Sequence, residues 1–368
     1  MEHFYWAALG AAKGIGTARL LALVKVFGSA QNLYEAEEAD ILATGIVSPK
    51  GAAQFVENKK SCGILPEMLQ EQCERLRISV VPVVSSQYPE RLKRILRPPV
   101  VLYVKGTLPD CRYSIAVVGS RLADAYGVKA AAWFGKTLAE AGVVVVSGGA
   151  KGVDAASHEG ALQGGGRTVA VLGCGVDIAY PHTNAKLFAS IAENGALVSE
   201  YPPGTKPERY HFPERNRIIS GICQGIVLVQ AAQRSGALIT AEFAMDEGRE
   251  VFCVPGNIFT DKSAGPHTLI KAGARLADSP RDLLEEVFPE LCGSSHSNLF
   301  SGCNDTTPLR KCTEGQRRIL DLLTQGPQTL EQLVAASGFA IGEVSVMLLE
   351  LQMMGFVQMN AAQQYSSI

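Results

Sequence analysis

No apolar run in the 368-residue chain reaches the ~18 residues that a membrane-spanning helix needs, and the opening MEHFYWAALG lacks the basic start and small-residue cleavage site of a secretory signal. A cytoplasmic location with no membrane partner is the expectation. Cysteine pairs of the CxxC kind are missing as well. The nine cysteines are scattered singly, which fits reduced thiols used as small apolar residues. Cys292, His296, Cys303 and Cys312 could be imagined around zinc, but their spacing matches no common ligand set and the stretch is polar, so no metal is expected. Excess charge of either sign is also absent, the formal net charge being −2. Any surface for a polyanion must therefore be a local patch.

What is present is a folded chain of more than one domain. The hydrophobic share of 47% and the 37 glycines suit an α/β protein with many tight strand-to-helix turns. Residues 1–69 read as interrupted helices, and LGAAKGIGTARLLALVKVFGS sets a Gly-Ile-Gly turn between two of them in the helix-hairpin-helix manner. Over 70–290 short β-branched runs (ISVVPVV, VVLYV, SIAVV, VVVVS, TVAVLG, ALVSE, GIVLVQ, EVFCVP) alternate with helical stretches. Several are apolar at successive positions, as strands buried on both faces of a parallel sheet are. The fold class expected is α/β: a doubly wound, mostly parallel Rossmann-like sheet with ligands outside the carboxyl ends of its strands. Residues 291–312 read as a linker. Residues 313–362 read as a winged helix with Glu343 to Met354 in the recognition-helix place, yet Arg317 and Arg318 are outnumbered there by Glu314, Asp321, Glu331, Glu343 and Glu350. Such a module suits protein contact better than phosphate binding.

Chemistry concentrates at the strand ends. Ile115 to Arg121, IAVVGSR, is a strand, a glycine turn and a guanidinium, and Ser147 to Gly152, SGGAKG, repeats the idea with Lys151. Neither offers the G-x-G-x-x-G and acidic partner of a dinucleotide site, so no cofactor is expected. Instead, backbone amides at Gly119, Ser120, Ser147, Gly148 and Gly149, with Arg121 and Lys151 beside them, suit phosphate oxygens. Asp154 reads as a first-turn acid capping the next helix. In PPGTKPERYHFPERNRIISG, Lys206, Arg209, His211, Arg215 and Arg217 interleave with Tyr210 and Phe212 on a long excursion that leads into the helical pattern RNRIISGIC, equipment for a single strand whose bases stack on a ring. Ser235 and Gly236 open a further helix at a strand end.

These motifs in one order (GSR at 119–121, SGGAKGVDAASHEGAL at 147–162, AVLGCGVDIAYPHTN at 170–184, HFPERNRIISG at 211–221, RSGALITAEFAMDEGREVFCVPGNI at 234–258, GPHTLIKAGARL at 265–276) resemble the DNA processing protein A family, also called Smf. The resemblance covers nearly the whole chain, with a sterile-alpha-motif-like start and a winged-helix tail. It implies a non-enzymatic protein that binds single-stranded DNA in natural transformation, protects it, and assists loading of the recombinase RecA. It further implies phosphate contacts at Gly119–Arg121, at the Ser147–Lys151 turn and at Arg209, a base-stacking ring at Phe212, and Asn216 and Arg217 in the same pocket. A homodimer is implied, with His267, Leu269, Ile270 and Leu276 at a two-fold contact. Where several relatives carry lysine after Tyr-Pro, this chain has Tyr180-Pro181-His182, and Lys186 is the residue placed to supply that charge.

Two other readings compete. LOG phosphoribohydrolases resemble the same architecture, and Glu242 in SGALITAEF falls near their catalytic acid, but their diglycine is missing. A duplex-binding regulator would use the terminal modules, against which the acidic tail argues.

Overall fold

Eight of the apolar runs become strands of one nine-stranded sheet in the computed structural model, which describes residues 1–12, 14–291, 313–323, 326–353, 356–360 and 364–367. The chain divides into two compact units, Met1–Ser294 and Ser295–Ile368. The expected linker, beyond Leu291, and the imagined Cys292–Cys312 zinc set lie outside the described residues. Among those described, no helix is long and apolar enough to span a membrane by itself, and no cluster of metal-ligating side chains is found.

The first unit begins with helices α1 (Glu2–Ala11), α2 (Thr17–Phe27), α3 (Ala30–Glu35), α4 (Glu38–Ala43), α5 (Pro49–Ser61) and α6 (Pro66–Leu76). Its strands are β1 (Ile78–Pro82), β2 (Val101–Gly106), β3 (Ser114–Val118), β4 (Val144–Ser147), β5 (Thr168–Val171), β6 (Ala196–Ser199), β7 (Gly225–Leu228), β8 (Glu250–Cys253) and β9 (Arg275–Leu276). In space they run β1-β2-β6-β5-β4-β3-β7-β8-β9. β3 to β9 are parallel, and β1 and β2 add an antiparallel edge. Helices α7 (Ala125–Glu140), α8 (Val153–Gln163), α9 (Ala185–Asn194), α10 (His211–Ile222), α11 (Gly236–Asp246), α12 (Ala264–Lys271) and α13 (Pro280–Val287) connect them. Every residue of β3 to β7 is buried, as continuous apolar runs require when helices cover both faces.

The N-terminal helices share the sheet's core. Trp6, Leu20, Leu33 and Phe55 belong to the same buried cluster as Val80, Tyr103 and Val198. The boundary expected at 69/70 falls inside α6, whose amphipathic pattern continues to Leu76. Two further differences have local causes. The excursion read from Pro202 becomes helical at His211, four residues before the helical pattern of RNRIISGIC, because Pro213 sits in the first turn of α10, where its missing N–H is not needed. β9 was not legible, being two exposed residues with no burial pattern.

One glycine fixes the strand-end geometry. Gly152, at the start of α8, has φ 76°, and a Cβ there would stand 2.3 Å from the Ser120 carbonyl oxygen. Strain and clash together make Gly152→Ala a destabilising change of roughly 2–4 kcal/mol, to be read from the urea midpoint.

The second unit folds as α14 (Glu314–Leu323), β10 (Gln328–Thr329), α15 (Leu330–Ser337), α16 (Ile341–Met353), β11 (Val357–Met359) and β12 (Gln364–Ser367), with the sheet order β10-β12-β11 of a winged helix. Ile319, Leu333, Val344, Leu348 and Leu351 form its core. On α16, in the recognition-helix place, Ile341, Val346 and Leu349 are exposed.

Candidate nucleic-acid interface

Strand ends carry the site. After β3 the chain turns at Gly119 and Ser120 and presents Arg121. After β7 it presents Arg234, Ser235 and Gly236, and between them lie Arg209 and the first turns of α10. Together they line one cleft of ≈ 650 Å³ at the carboxyl ends of the sheet. Of the residues expected to bind, Gly119, Ser120, Arg121, Arg209, Phe212, Asn216, Ser235 and Gly236 all line it.

The cleft combines free cations with rings. Arg121, Arg209 and Arg234 are exposed, and none forms an ion pair or hydrogen bond through its side chain among the described residues. The Arg121 guanidinium carbon lies 5.4 Å from the centroid of the half-buried Phe212 ring, within cation–π range. On from Phe212, the Tyr180 ring follows with centroids 5.5 Å apart and planes inclined by 35°. Leu122, 81% exposed, lines the same cleft. Tyr180 and Arg234 were missed as site residues. The signal for both lay in plain view, an aromatic and a cation within the strand-end segments already quoted.

Two of the amides expected to face an anion are engaged within the protein, Ser120 and Ser235, the latter donating to the Ala232 carbonyl at 2.9 Å. Ser120 N–H donates to the Gln230 carbonyl at 2.7 Å, and Leu122 N–H donates to the Ser120 hydroxyl oxygen at 3.1 Å. At α11 the Ser235 hydroxyl oxygen accepts from Ala237 N–H at 3.3 Å, an ordinary N-cap.

The Ser147–Lys151 turn departs further from expectation. Ser147, Gly148 and Gly149 are buried, and the Ser147 hydroxyl donates to the Val117 carbonyl at 2.6 Å. A Cβ on Gly148 would stand 2.7 Å from the Arg215 guanidinium and 2.8 Å from the Asp154 carboxylate, so the glycine there serves packing. Lys151 is exposed but does not line the cleft. Nor does Lys186, exposed in the first turn of α9. The neighbouring Asn184 ties that turn to the 147–151 segment, donating to the Gly149 and Ala150 carbonyls at 3.1 and 3.2 Å.

Successive residues of α10 face different ways. Asn216 reaches the cleft and donates to the Gly236 carbonyl at 3.3 Å. Arg217, expected in the same pocket, points instead to Glu200, with Nη2 2.5 Å from Oε2 and both side chains mostly buried. The ~100° step of a helix separates the two, and the ion pair leaves Arg217 no spare charge for a phosphate. Arg215 and Asp154 also line the cleft, as its floor; Arg215 is 4% exposed and donates to the Gly148 carbonyl at 2.7 Å and to the Val171 carbonyl. Burial pushes its guanidinium down to about 10, so it stays charged at neutral pH, and pushes the nearby Asp154 carboxyl up. Asp154 is the first-turn acid expected for α8 and accepts from Ala150 N–H at 3.3 Å.

The residues expected at a two-fold contact lie along one sheet edge. Leu276 is exposed on β9, Leu269 and Ile270 on α12 are half-buried, and His267 Nε2 accepts from Gly256 N–H at 3.4 Å.

Comparison with known proteins matches this architecture. The chain is similar to Protein Smf of Synechocystis, 32% identical over 394 residues that cover 99% of this chain and 98% of that protein. It is 45% identical over 205 residues to DNA processing protein DprA of Streptococcus pneumoniae, covering 55% of this chain and 72% of that one. The solved structure of the pneumococcal protein superposes with a TM-score of 0.68 at 35% identity, over 78% of this chain and 98% of that one. A Helicobacter pylori DNA processing protein A, described for its single-stranded DNA binding mode, gives 0.53 at 28% identity, over 58% of this chain and 97% of that one. The DprA winged helix domain matches residues 305–361. Since the family of the DNA recombination-mediator protein A also matches residues 79–288, more than half of its length, the chain belongs to that family.

Proposed function

We propose that this protein binds single-stranded DNA in the strand-end cleft, protects incoming DNA during natural transformation, and assists loading of RecA onto it. The observation that carries the reading is the convergence of Arg121, Arg209 and Arg234 with the Phe212–Tyr180 ring pair in one cleft. Guanidinium groups follow a sugar-phosphate backbone, and a ring accepts any base on its face. Similarity to the Helicobacter protein whose single-stranded DNA binding is described supports the same substrate. A homodimer through α12 and β9 and a cytoplasmic location belong to this reading.

Binding without turnover is part of the proposal. The phosphoribohydrolase alternative needs an acid free to face the ligand, whereas Glu242 is exposed on α11 and does not line the cleft, and the acid that does, Asp154, is 7% exposed and offset by Arg215. Release of free base from nucleoside 5′-monophosphates would reinstate it.

Fluorescence anisotropy with oligothymidine against a duplex of equal length tests the main claim, and preference for duplex would refute it. Phe212→Ala should weaken oligothymidine binding by about 5- to 150-fold, the ~1–3 kcal/mol of one base–ring stack, while the slope of affinity against salt stays the same. Nuclease protection and the rate of RecA filament formation on coated strands test the later steps.

A further inference from the structure

A second groove, of ≈ 760 Å³, adjoins the cleft on the outer side of α9. Ile178 and Ala179 line it, and the next residue, Tyr180, lines the cleft, so the two are joined through a single short segment. One wall carries Arg75 and Arg77 from the end of α6 and Lys105 from β2. Arg75 and Arg77 are exposed, Lys105 is half-buried, and no side chain of the three forms an ion pair or hydrogen bond among the described residues. Two acids also line the groove. Asp177 already accepts twice from Gly204 N–H, at 2.9 and 3.0 Å, and Glu193 is exposed on α9. The other wall is α9, through Ala185, Phe188, Ala189 and Ala192.

Arg77 has a further peculiarity. It caps α6 with φ 55° and ψ 48°, and among the described residues it is the non-glycine residue with positive φ. Glycine adopts that conformation freely and a side chain does not, so a long cation is held where the backbone alone would favour glycine.

We infer that the groove is a second backbone site for the same single strand, in which Arg75, Arg77 and Lys105 take the phosphodiesters that follow the bases seated at Phe212 and Tyr180. This rests on the single-stranded DNA reading and extends the strand's path from the carboxyl ends of the sheet along α9 toward β2. Unpaired cations beside a half-apolar groove suit a backbone whose charge is periodic and whose sequence is immaterial.

The double variant Arg77→Gly, Lys105→Ala isolates the groove. Glycine accepts the αL cap without strain, so the fold is retained, and thermal unfolding checks this directly. Binding is measured by anisotropy with oligothymidines of ~6 and ~20 nucleotides, lengths that fill the cleft alone or run beyond it. The parent should bind the longer strand more tightly. The variant should match the parent on the short strand, lose about tenfold on the long one, and show a salt slope lower by ~1.4, or ~0.7 per lost contact. Equal affinity of the parent for both lengths, or a variant that binds the long strand with parental affinity and slope, would overturn the groove. If the parent binds neither length, the single-stranded reading itself fails.

Discussion

Arg215→Ala should destabilise the protein by about 3–5 kcal/mol, the usual consequence of removing one member of a buried charge pair. The side chain is 4% exposed and donates to the Gly148 carbonyl just past β4 and to the Val171 carbonyl at the end of β5. One guanidinium thus holds two strand ends beneath the cleft. Its loss leaves those carbonyls without their donor and leaves the buried Asp154 carboxylate without the cation that offsets its burial most. Arg215→Lys should recover only part of the deficit, since an ammonium cannot reproduce the planar fork. Replacing both members, as Arg215→Met with Asp154→Leu, should recover more, because no isolated charge then remains buried.

The pH dependence follows from the sign of the Asp154 shift. Burial raises its folded carboxyl above the unfolded value, and Arg215 opposes this shift most, with Arg121 adding less. With the arginine gone, the ionised carboxylate is penalised most fully above its folded pKa. The deficit of Arg215→Ala should therefore shrink as pH falls through the carboxylate range, where protonation removes the uncompensated charge. Urea titrations monitored by circular dichroism at several pH values would show it. A deficit that grows on acidification would mean that the pair is not what holds the strand ends.

The parallel sheet was legible because burial on both faces demands apolar residues at successive positions. Runs such as VVVVS and GIVLVQ have no other economical reading beside intervening helices. The site was legible in composition and less so in direction. That Arg209, Phe212 and Asn216 share a cleft follows from their closeness at the start of α10, but Arg217 turning to Glu200 depends on helical phase and on an acid 17 residues away. The glycine turns misled for a related reason. A sequence shows that a backbone can bend, while the acceptors that take its amides, such as the Gln230 carbonyl for Ser120, come from a distant strand end. Ser147 and Gly148 look like a phosphate cradle in one dimension, and in three they are the packing surface against Arg215 and Asp154.

Arg121→Glu should lower single-stranded DNA affinity about 100-fold, or ~2.7 kcal/mol, at low salt. The residue is exposed and forms no ion pair or side-chain hydrogen bond among the described residues, so its charge is available to a ligand, and the buried Asp154 carboxylate, which it helps to offset, keeps Arg215 as its main cation. Unfolding temperature should fall far less than in Arg215→Ala, since Arg121 is exposed and offsets Asp154 only in part. Reversal converts one attraction into a repulsion, so the slope of log affinity against log salt should fall by more than the ~0.7 expected for simple neutralisation. It also removes the cation that lies 5.4 Å from the Phe212 ring, a contact that orients the ring in the free protein. Arg121→Lys separates these effects: the charge persists, and most of the affinity and slope with it, while the flat stacking surface is lost. Because Phe212→Ala alters affinity with little change in slope and Arg121→Glu alters both, their combination distinguishes a backbone-tracking cation from a base-stacking ring. If Arg121→Glu binds oligothymidine like the parent at low salt, the cleft does not carry the strand, however well its cations and rings converge.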